Sequence, residues 1–289
     1  MKKIFYGVVL SAFLASCDKP VETPTNTNQP ASEHYELGNP SNATTEITKT
    51  DNFLLVKKQM VICYNNTLGR ANWVSWRIAP EWLGNTPRQD DFRPDDELPS
   101  TYYKASSGTY TGSGFDRGHI CPSGDRTAST SDNSSTFTMT NMLPQAPNVN
   151  QGNWADLENY CRKLVDAGNE LYVISGGRGE GGSGSNGGTT KRLDNGKLIV
   201  PSHCWKVVVI LPKQTGTDID RIDEKTRVIA IEIPNKQSAG AASWGDYRLS
   251  VDDLEKNISI DSPGFDLLNK VPKAIQDKIE AIKDTGKTQ

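Results

Sequence analysis

The chain has 289 residues, of which 35% are hydrophobic, with six Trp and nine Tyr. This length fits one large domain or two small ones, and so many core-forming side chains exclude a mostly disordered protein. The formal net charge of −3 excludes a globally basic protein that packages nucleic acid, but it allows an enzyme with a local cationic cleft.

Residues 1–17 have the pattern of an export signal, in which Lys2 and Lys3 precede a short apolar stretch that ends in the letters LASC. The stretch is too short to span a bilayer. A small-residue run that ends in cysteine is similar to the lipobox of bacterial lipoproteins. We therefore expect a signal peptide over 1–16 and a lipid on Cys17, with an ordinary secretory signal as the alternative. The protein is then extracytoplasmic and anchored to a bacterial membrane, on the periplasmic or surface face of the outer membrane.

Residues 17–50 are dominated by Thr, Asn, Pro, Ser and Glu and show almost no apolar periodicity. This composition predicts a flexible tether. His34 lies in this segment, so we expect no functional role for it. The folded domain is predicted to occupy residues 51–289.

From residue 53 onward, runs of β-branched and aromatic residues alternate with turn residues, which predicts a sheet-rich core. Apolar residues within 148–168 recur at the spacing of one helix face, and Gly168 supplies a stop. Ser250 and Pro272 indicate the starts of two further helices. The strand-like segments are FLLVKKQMVICYN, NWVSWRIA, ELYVISGG, KLIVPSHCWKVVVILP and RVIAIEIP.

The glycine-rich run SGGRGEGGSGSNGG at 175–188 follows a strand-like segment. No GK[ST] follows it and no helix pattern begins there. We therefore expect a flexible surface loop and not a phosphate-binding loop.

Four cysteines remain once Cys17 is assigned to the lipid. Their even number in an exported chain allows two disulfides, in any of three connectivities, and four buried free thiols are the alternative. No pair has CxxC spacing, which argues against a zinc ribbon. The four are Cys63, Cys121, Cys161 and Cys204.

Two of the three histidines fall in the predicted domain, too few for a multi-histidine metal site. His203 lies in a strand-like run, where a structural role is expected. His119 stands in DRGH, and on an extended strand Arg117 shares its face. A neutral imidazole can accept a proton from water and a guanidinium can hold phosphate oxygens, so this pair suits attack on a phosphodiester. A purely structural loop is the alternative.

A second group of polar residues follows in the segment TFTMTNMLPQAPNVNQGNWADLE. Asn141 ends a strand-like run, Asn150 stands at a predicted helix start, and Glu158 follows on a neighbouring helix face about two turns away. Oxygen donors of this kind suit Mg²⁺, which keeps most of its waters and takes few protein ligands. A helix cap at Asn150 and a solvated side chain at Glu158 are the alternatives.

Several short motifs follow one another in order: DRGH at 116–119, Pro122, NMLPQ at 141–145, NQGNW at 150–154 and LE at 157–158. This series resembles the DNA/RNA non-specific endonuclease family, from about residue 56 to residue 283. The resemblance implies an α+β fold of the ββα-metal (His-Me finger) class, with a mainly antiparallel central sheet flanked by helices. It also implies a Mg²⁺-dependent endonuclease, with Mn²⁺ as an alternative metal, that hydrolyses DNA and RNA and leaves 5′-phosphate ends.

The resemblance further implies a role for each residue that matches a motif. His119 is the general base that activates water, Asn150 is the direct protein ligand of one Mg²⁺, and Glu158 holds metal-bound waters. Such a site touches phosphate far more than base edges, which predicts little sequence preference.

The remaining implied roles concern the substrate phosphate and the support of the site. Arg117 holds the scissile phosphate, and Asn141 supports the site by hydrogen bonding. A further upstream arginine reaches the phosphate; Arg88 is our candidate, with Arg93 close to it. Asp116 is expected to brace the loop.

Two other interpretations stay open from the sequence. The same site with a narrower entrance would make a phosphodiesterase for small phosphoesters. A surface lipoprotein with a decayed site would bind nucleic acid without cleaving it, although the intact His119, Asn150 and Glu158 argue against decay. The sequence carries no marker of oligomeric state.

Overall fold

The computed structural model describes residue 1, residues 31–260 and residues 264–288. The predicted signal peptide (apart from Met1), Cys17 and residues 17–30 of the predicted tether lie outside the described residues. Among those described, no helix is both long enough and apolar enough to cross a membrane.

The strands are β1 (Phe53–Val56), β2 (Val61–Asn65), β3 (Arg70–Ile78), β4 (Asp116–His119), β5 (Met142–Gln145), β6 (Asn169–Arg178), β7 (Arg192–Leu193), β8 (Leu198–Ile199), β9 (His203–Pro212), β10 (Arg227–Pro234) and β11 (Arg248–Leu249). The α-helices are α1 (Thr130–Ser135), α2 (Ala155–Asp166), α3 (Val251–Ser259) and α4 (Lys273–Glu280).

One seven-stranded sheet forms the centre of the domain, in the order β1-β2-β3-β6-β9-β10-β11. Every neighbouring pair is antiparallel. The two central strands, β6 and β9, pair over ten residues each, and their β-branched residues fit the pleated surface well. Each face of the sheet carries its own apolar cluster. The predicted α+β fold with a mainly antiparallel central sheet is confirmed.

Helix α2 covers one face of the sheet and lies where the sequence predicts a helix. The side chains of Trp154, Leu157, Cys161 and Val165 are buried on this face, which matches the predicted apolar stripe. The helix is entered through a π-helical turn over Val149–Trp154. Gly168, which follows α2, adopts a φ of +92° that favours glycine.

Helices α3 and α4 cover the other face together with an N-terminal segment that was expected to be a tether. Tyr35 and Leu37 are buried in the apolar cluster of this face. His34 Nε2 lies 2.7 Å from the carbonyl oxygen of Lys58, and Ser41 Oγ accepts a 2.8 Å hydrogen bond from the indole of Trp73. The prediction of a tether over 17–50 is therefore wrong for the described residues from 33 onward, and the domain begins earlier than residue 51.

The cause of this error is the low density of apolar residues in the segment. A few large side chains seal the sheet, while the polar residues between them satisfy one another. Asn39, for example, exchanges hydrogen bonds of 2.9 and 2.8 Å with the backbone of Ala43. A composition typical of a linker therefore covers a sheet face.

All four cysteines of the folded part are free and buried. Cys63 belongs to the apolar cluster on one sheet face, whereas Cys121, Cys161 and Cys204 belong to the other. Burial raises the pKa of the thiols of Cys63, Cys121 and Cys161 to about 12 and that of Cys204 to about 11. Of the two alternatives for these residues, the structure has the free thiols.

The glycine-rich run at 175–188 differs from the flexible loop that we expected. Its first part, Ser175 to Arg178, continues β6. Further on, the backbone N–H of Ser185 donates to Gly114 O over 2.8 Å, and Asn186 Nδ2 donates to Gly112 O over 2.9 Å. The loop therefore packs against the segment that leads into the DRGH strand.

A cluster of carboxylates lies where α3 meets α4. Asp252, Glu255 and Glu280 have carboxylate oxygens within 4.8 Å of one another, and Glu280 is only 3% exposed. Burial and the neighbouring carboxylates raise the pKa of Glu255 to about 7 and that of Glu280 to about 8. At alkaline pH, the carboxylates of Glu255 and Glu280 are therefore both charged and repel each other in poorly hydrated surroundings.

We predict that Glu280→Gln raises the Tm by roughly 2–4 °C at about pH 9 and changes it much less at about pH 5. Folding raises the pKa of these carboxyl groups above the ordinary value of 4.5, so between pH 4.5 and about 8 the folded protein binds more protons than the unfolded chain. Its stability therefore falls as the pH rises through this range. Thermal unfolding followed by circular dichroism measures the effect. Asp277→Asn, on the exposed side of α4, is the control. An equal gain at both pH values would contradict the prediction.

Candidate active site

Strands β4 and β5 form a two-stranded antiparallel ribbon that carries the DRGH and NMLPQ motifs. His119 pairs with Met142, and Gly118 pairs with Leu143. A Cβ on Gly118 would lie 1.9 Å from Gln145 Oε1, so a larger residue would fit here only if the side chain of Gln145 moved. The ribbon and the following α2 give the ββα arrangement that the family resemblance implies.

Asn141 holds the chain directly after the histidine. Its side chain is fully buried, Oδ1 accepts from the N–H of Cys121 over 2.9 Å, and Nδ2 donates to Cys121 O and Thr136 O over 2.8 and 2.9 Å. A buried amide with these partners fixes the local backbone strongly. Asn141 thus lies where it can support His119 by hydrogen bonding.

His119 is buried, with 9% of its surface exposed. Its ring packs edge-to-face on Phe137 at a centroid distance of 4.8 Å and lies 5.6 Å from Phe92. Nε2 has no hydrogen-bond partner in the described part of the protein. Burial, and then the charges of Arg88 and Arg117, lower the pKa of His119 to about 3. The imidazole is therefore neutral near pH 7, and Nε2 can accept a proton when the ring proton sits on Nδ1.

Two phenylalanines hold both arginines close to the histidine. The guanidinium of Arg117 lies 4.1 Å from the ring centroid of Phe92, and that of Arg88 lies 4.8 Å from Phe137. The two rings pack edge-to-face at 4.9 Å. Arg88 also donates to Ser123 Oγ over 2.9 Å. Sequence reasoning identified the charged residues but missed this aromatic support, because an isolated phenylalanine signals only a core position.

Arg93, the neighbour of our upstream candidate, has a different environment. Its guanidinium donates to Asp91 Oδ2 over 2.7 Å and to the carbonyl oxygen of Ser134 over 2.9 Å. Arg88 also pairs with a neighbouring aspartate, Asp90, over 2.6 Å, but it lines a cleft together with Arg117. Arg88 thus lies on the ring of Phe137, which packs against His119. Arg93 instead joins the segment of Asp91 to the end of α1 at Ser134.

The cleft is open and has a volume of about 350 Å³. Of the predicted site residues, it brings Arg88, Arg117 and Asn150 to one surface. Among the described residues, His119, Asn141 and Glu158 do not line that surface. Its walls include Phe92, Tyr110, Phe115, Asp116 and Gln151.

The amide of Asn150 is oriented by Asp116. Asn150 Nδ2 donates to Asp116 Oδ2 over 2.8 Å, and Gln151 Nε2 donates to the same oxygen over 2.8 Å. Asn150 Oδ1 has no donor among the described residues. An amide oxygen held in this way, in a cleft with a carboxylate, is a donor that hard divalent cations accept. Asp116 therefore braces the residue that the sequence assigns to the metal.

Glu158 is not the solvated helix residue that the alternative interpretation expected, since its side chain is only 13% exposed. Its Oε1 lies 3.3 Å from Lys206 Nζ. Burial raises the pKa of Glu158, and the charge of Lys206 opposes that rise. Beside this pair, Asp125 accepts from Arg162 over 2.8 Å and from the indole of Trp76 over 2.9 Å. Sequence reasoning missed Lys206, whose signal was a single lysine in an apolar strand.

Comparisons with known proteins place the chain in a family. The model of the DNA/RNA non-specific endonuclease family matches residues 38–274. The chain is 44% identical to a nuclease of Nostoc sp., over 95% of this chain and 96% of the relative. It is 29% identical to nuclease C1 of Cunninghamella echinulata, over 70% of this chain and 79% of the relative.

The chain is also similar to a mitochondrial nuclease in sequence and to a solved nuclease structure in fold. Human mitochondrial endonuclease G is 32% identical over 53% of each chain. In fold, the structure is similar to a chain in the crystal structure of the EndoG/EndoGI complex, with a TM-score of 0.66 and 20% identity over 86% of this chain and 96% of that one. Given the family match over most of the domain, this chain belongs to the DNA/RNA non-specific endonucleases and is a nuclease.

Proposed function

We propose that the protein is a Mg²⁺-dependent endonuclease that hydrolyses phosphodiester bonds in both DNA and RNA and leaves 5′-phosphate ends. The observation that carries the proposal is the environment of His119. Its Nε2 is buried and unpaired in the described part of the protein, and burial together with the charges of Arg88 and Arg117 lowers its pKa to about 3. The two phenylalanines that pack on its ring also carry these arginines. A neutral base beside two fixed cations suits attack on a phosphodiester.

In the proposed mechanism, His119 Nε2 accepts a proton from a water molecule. The resulting hydroxide attacks phosphorus on the side opposite the 3′ oxygen, and the bond from phosphorus to that oxygen breaks. The departing oxygen takes a proton from solvent and becomes a 3′ hydroxyl, so the phosphate stays on the 5′ end, and His119 returns its proton to solvent. Arg117 and Arg88 hold the non-bridging oxygens, where negative charge increases in the transition state. Both guanidinium groups already lie on the rings of their phenylalanines, which favours a productive orientation.

The other half of the proposed site would hold the metal. Asn150 Oδ1 would bind the ion directly and Glu158 would bind it through water, which leaves most of the hydration shell in place, as Mg²⁺ requires. Mn²⁺ accepts the same oxygen donors. When bound, the ion supplies positive charge that offsets charge on the phosphate and the departing oxygen.

The open shape of the cleft and its two arginines support a polymer as substrate. Phosphate contacts carry no sequence information and are common to DNA and RNA, single or double stranded. A phosphodiesterase for small esters would need a narrow entrance, whereas this cleft is open. Binding should weaken with salt, because phosphate contacts release counterions.

Digestion of plasmid DNA and of RNA by the purified protein tests the proposal. We predict cleavage of both, inhibition by a chelator, and a loss of roughly 10²–10⁴-fold in rate for His119→Ala. His203→Gln, which alters the histidine at the start of β9, outside the cleft, is the matched control and should cleave at the wild-type rate. A folded His119→Ala variant with wild-type activity would overturn the mechanism. Cleavage of bis-p-nitrophenyl phosphate without cleavage of either polymer would favour the small-ester alternative.

We predict that Asn150→Ala lowers activity about 10–100-fold, and that a higher Mg²⁺ concentration restores it only in part, because a direct ligand is lost. Gln151→Ala is the control, since Gln151 donates to the same carboxylate as Asn150 but has no proposed ligand role. The measurement is the rate as a function of Mg²⁺ concentration. An unchanged Mg²⁺ dependence in Asn150→Ala would refute the ligand role.

We also propose that Cys17 carries a lipid that holds the nuclease at a bacterial membrane, outside the cytoplasm. The lysines, apolar stretch and small residues before Cys17 support this proposal. We predict that Cys17→Ser moves the nuclease activity from the membrane fraction to the soluble extracytoplasmic fraction, as measured by cell fractionation and digestion assays. Equal distribution of the variant and the wild type would contradict a lipid anchor.

A further inference from the structure

Lys206 is a charged residue in the centre of an apolar sheet. It lies in β9, its side chain is 1% exposed, and Trp205 and Val207 on either side of it are buried. Lysine is almost never fully buried unless it is paired, because moving an ammonium group out of water costs on the order of several kcal/mol of free energy. A role that needs the charge in this place is therefore to be expected.

The contacts of Lys206 point to a single acidic partner. Nζ lies 3.3 Å from Glu158 Oε1, and in the described part of the chain no other carboxylate forms an ion pair with it. The nearby Asp125 already pairs with Arg162 at 2.8 Å. Glu158 Oε2 has no hydrogen-bond donor among the described residues, so the lysine holds one oxygen of the carboxylate and leaves the other for water.

Two indole rings hold the ammonium group in position. Nζ lies 4.3 Å from the ring centroid of Trp154 and 5.6 Å from that of Trp76, distances at which a cation is attracted to a ring face. Trp154 stands at the junction of the π-helical turn and α2, midway in sequence between Asn150 and Glu158. Lys206 therefore contacts the helix start that carries both residues assigned to the metal.

We propose that Lys206 is a positioning residue of the nuclease, which links the rigid central sheet to Glu158 and sets the orientation of that carboxylate. This inference rests on the proposed function, because Glu158 matters to the reaction only if it orients water at the metal. Lys206 itself touches neither substrate nor water in this role and acts through Glu158. Partners that orient such groups typically change metal affinity or activity by about 10–100-fold when they are lost.

The first test is Lys206→Met, which keeps the length of the side chain and removes its charge. We expect kcat to fall about 10–100-fold and the affinity for Mn²⁺ alone, measured by electron paramagnetic resonance without substrate, to fall in the same range. KM should change by less than about 3-fold, since the cleft arginines are untouched. Lys57→Met is the matched control: it removes another buried, ion-paired lysine and should lower Tm but not kcat.

A double-mutant cycle with Glu158→Gln separates positioning from a general structural role. If Lys206 acts through Glu158, the change to Met reduces kcat strongly in the wild-type background and by less than about 3-fold in the Glu158→Gln background. Equal losses in the two backgrounds would overturn the proposal, as would a folded Lys206→Met variant with wild-type kcat and Mn²⁺ affinity.

Lys206→Gln covers the case in which the Met variant does not fold, because it retains a hydrogen-bond donor for Glu158. Wild-type kcat and Mn²⁺ affinity in this variant would overturn the proposal, and an intermediate loss supports it. Failure of both variants to fold, seen by circular dichroism, would assign the lysine to the core and count against positioning. If the wild type cleaves no nucleic acid, the proposed function fails, while the Mn²⁺ measurement still reports on Lys206.

Discussion

Both faces of the central sheet are buried, and this constraint decides where charge can lie in the domain. Helix α2 and the β4–β5 ribbon cover one face, while α3, α4 and the N-terminal segment cover the other. A charged side chain in such an interior is stable only with a partner. Where charge does enter the interior beneath α2, at Lys206 and Glu158, the two groups pair with each other. The chemistry of the site is thus built at the boundary between the sheet and its helical cover.

The two halves of the site are supported in different ways. On the ribbon, His119 and its two arginines are held by Phe92 and Phe137, and burial keeps the imidazole neutral by lowering its pKa. On the helical side, hydrogen bonds orient the polar groups. Asp116 connects the halves, since it stands in the DRGH strand and accepts from the amide of Asn150. One carboxylate therefore sets the register between the base and the residue assigned to the metal.

Much of the fold could be predicted because its signals are local. The strand segments and the α2 stripe from Trp154 to Val165 follow from residue patterns with a short period. The prediction for the N-terminal segment was wrong because Tyr35 and Leu37 are isolated apolar residues in a polar context. Their burial depends on a sheet face that is distant in sequence. The packing of the glycine-rich loop was missed for a related reason, because its hydrogen-bond partners, Gly112 and Gly114, are far away in sequence. The state of the cysteines stayed open because disulfide pairing depends on distances that spacing does not encode.

For the active site, the residue types and their order along the chain were enough to identify the chemistry: His119 and Arg117 on one face of a strand, with Asn141, Asn150 and Glu158 following. The sequence could not say that Arg88 and not Arg93 faces the cleft, that two phenylalanines support the arginines, or that a buried lysine holds Glu158. These features depend on contacts between residues that lie 25 to 49 positions apart in the sequence, from Phe92 with Arg117 to Arg88 with Phe137. Burial, side-chain orientation and the pKa values that follow from them arise only when those segments pack, so the tertiary structure alone decided them.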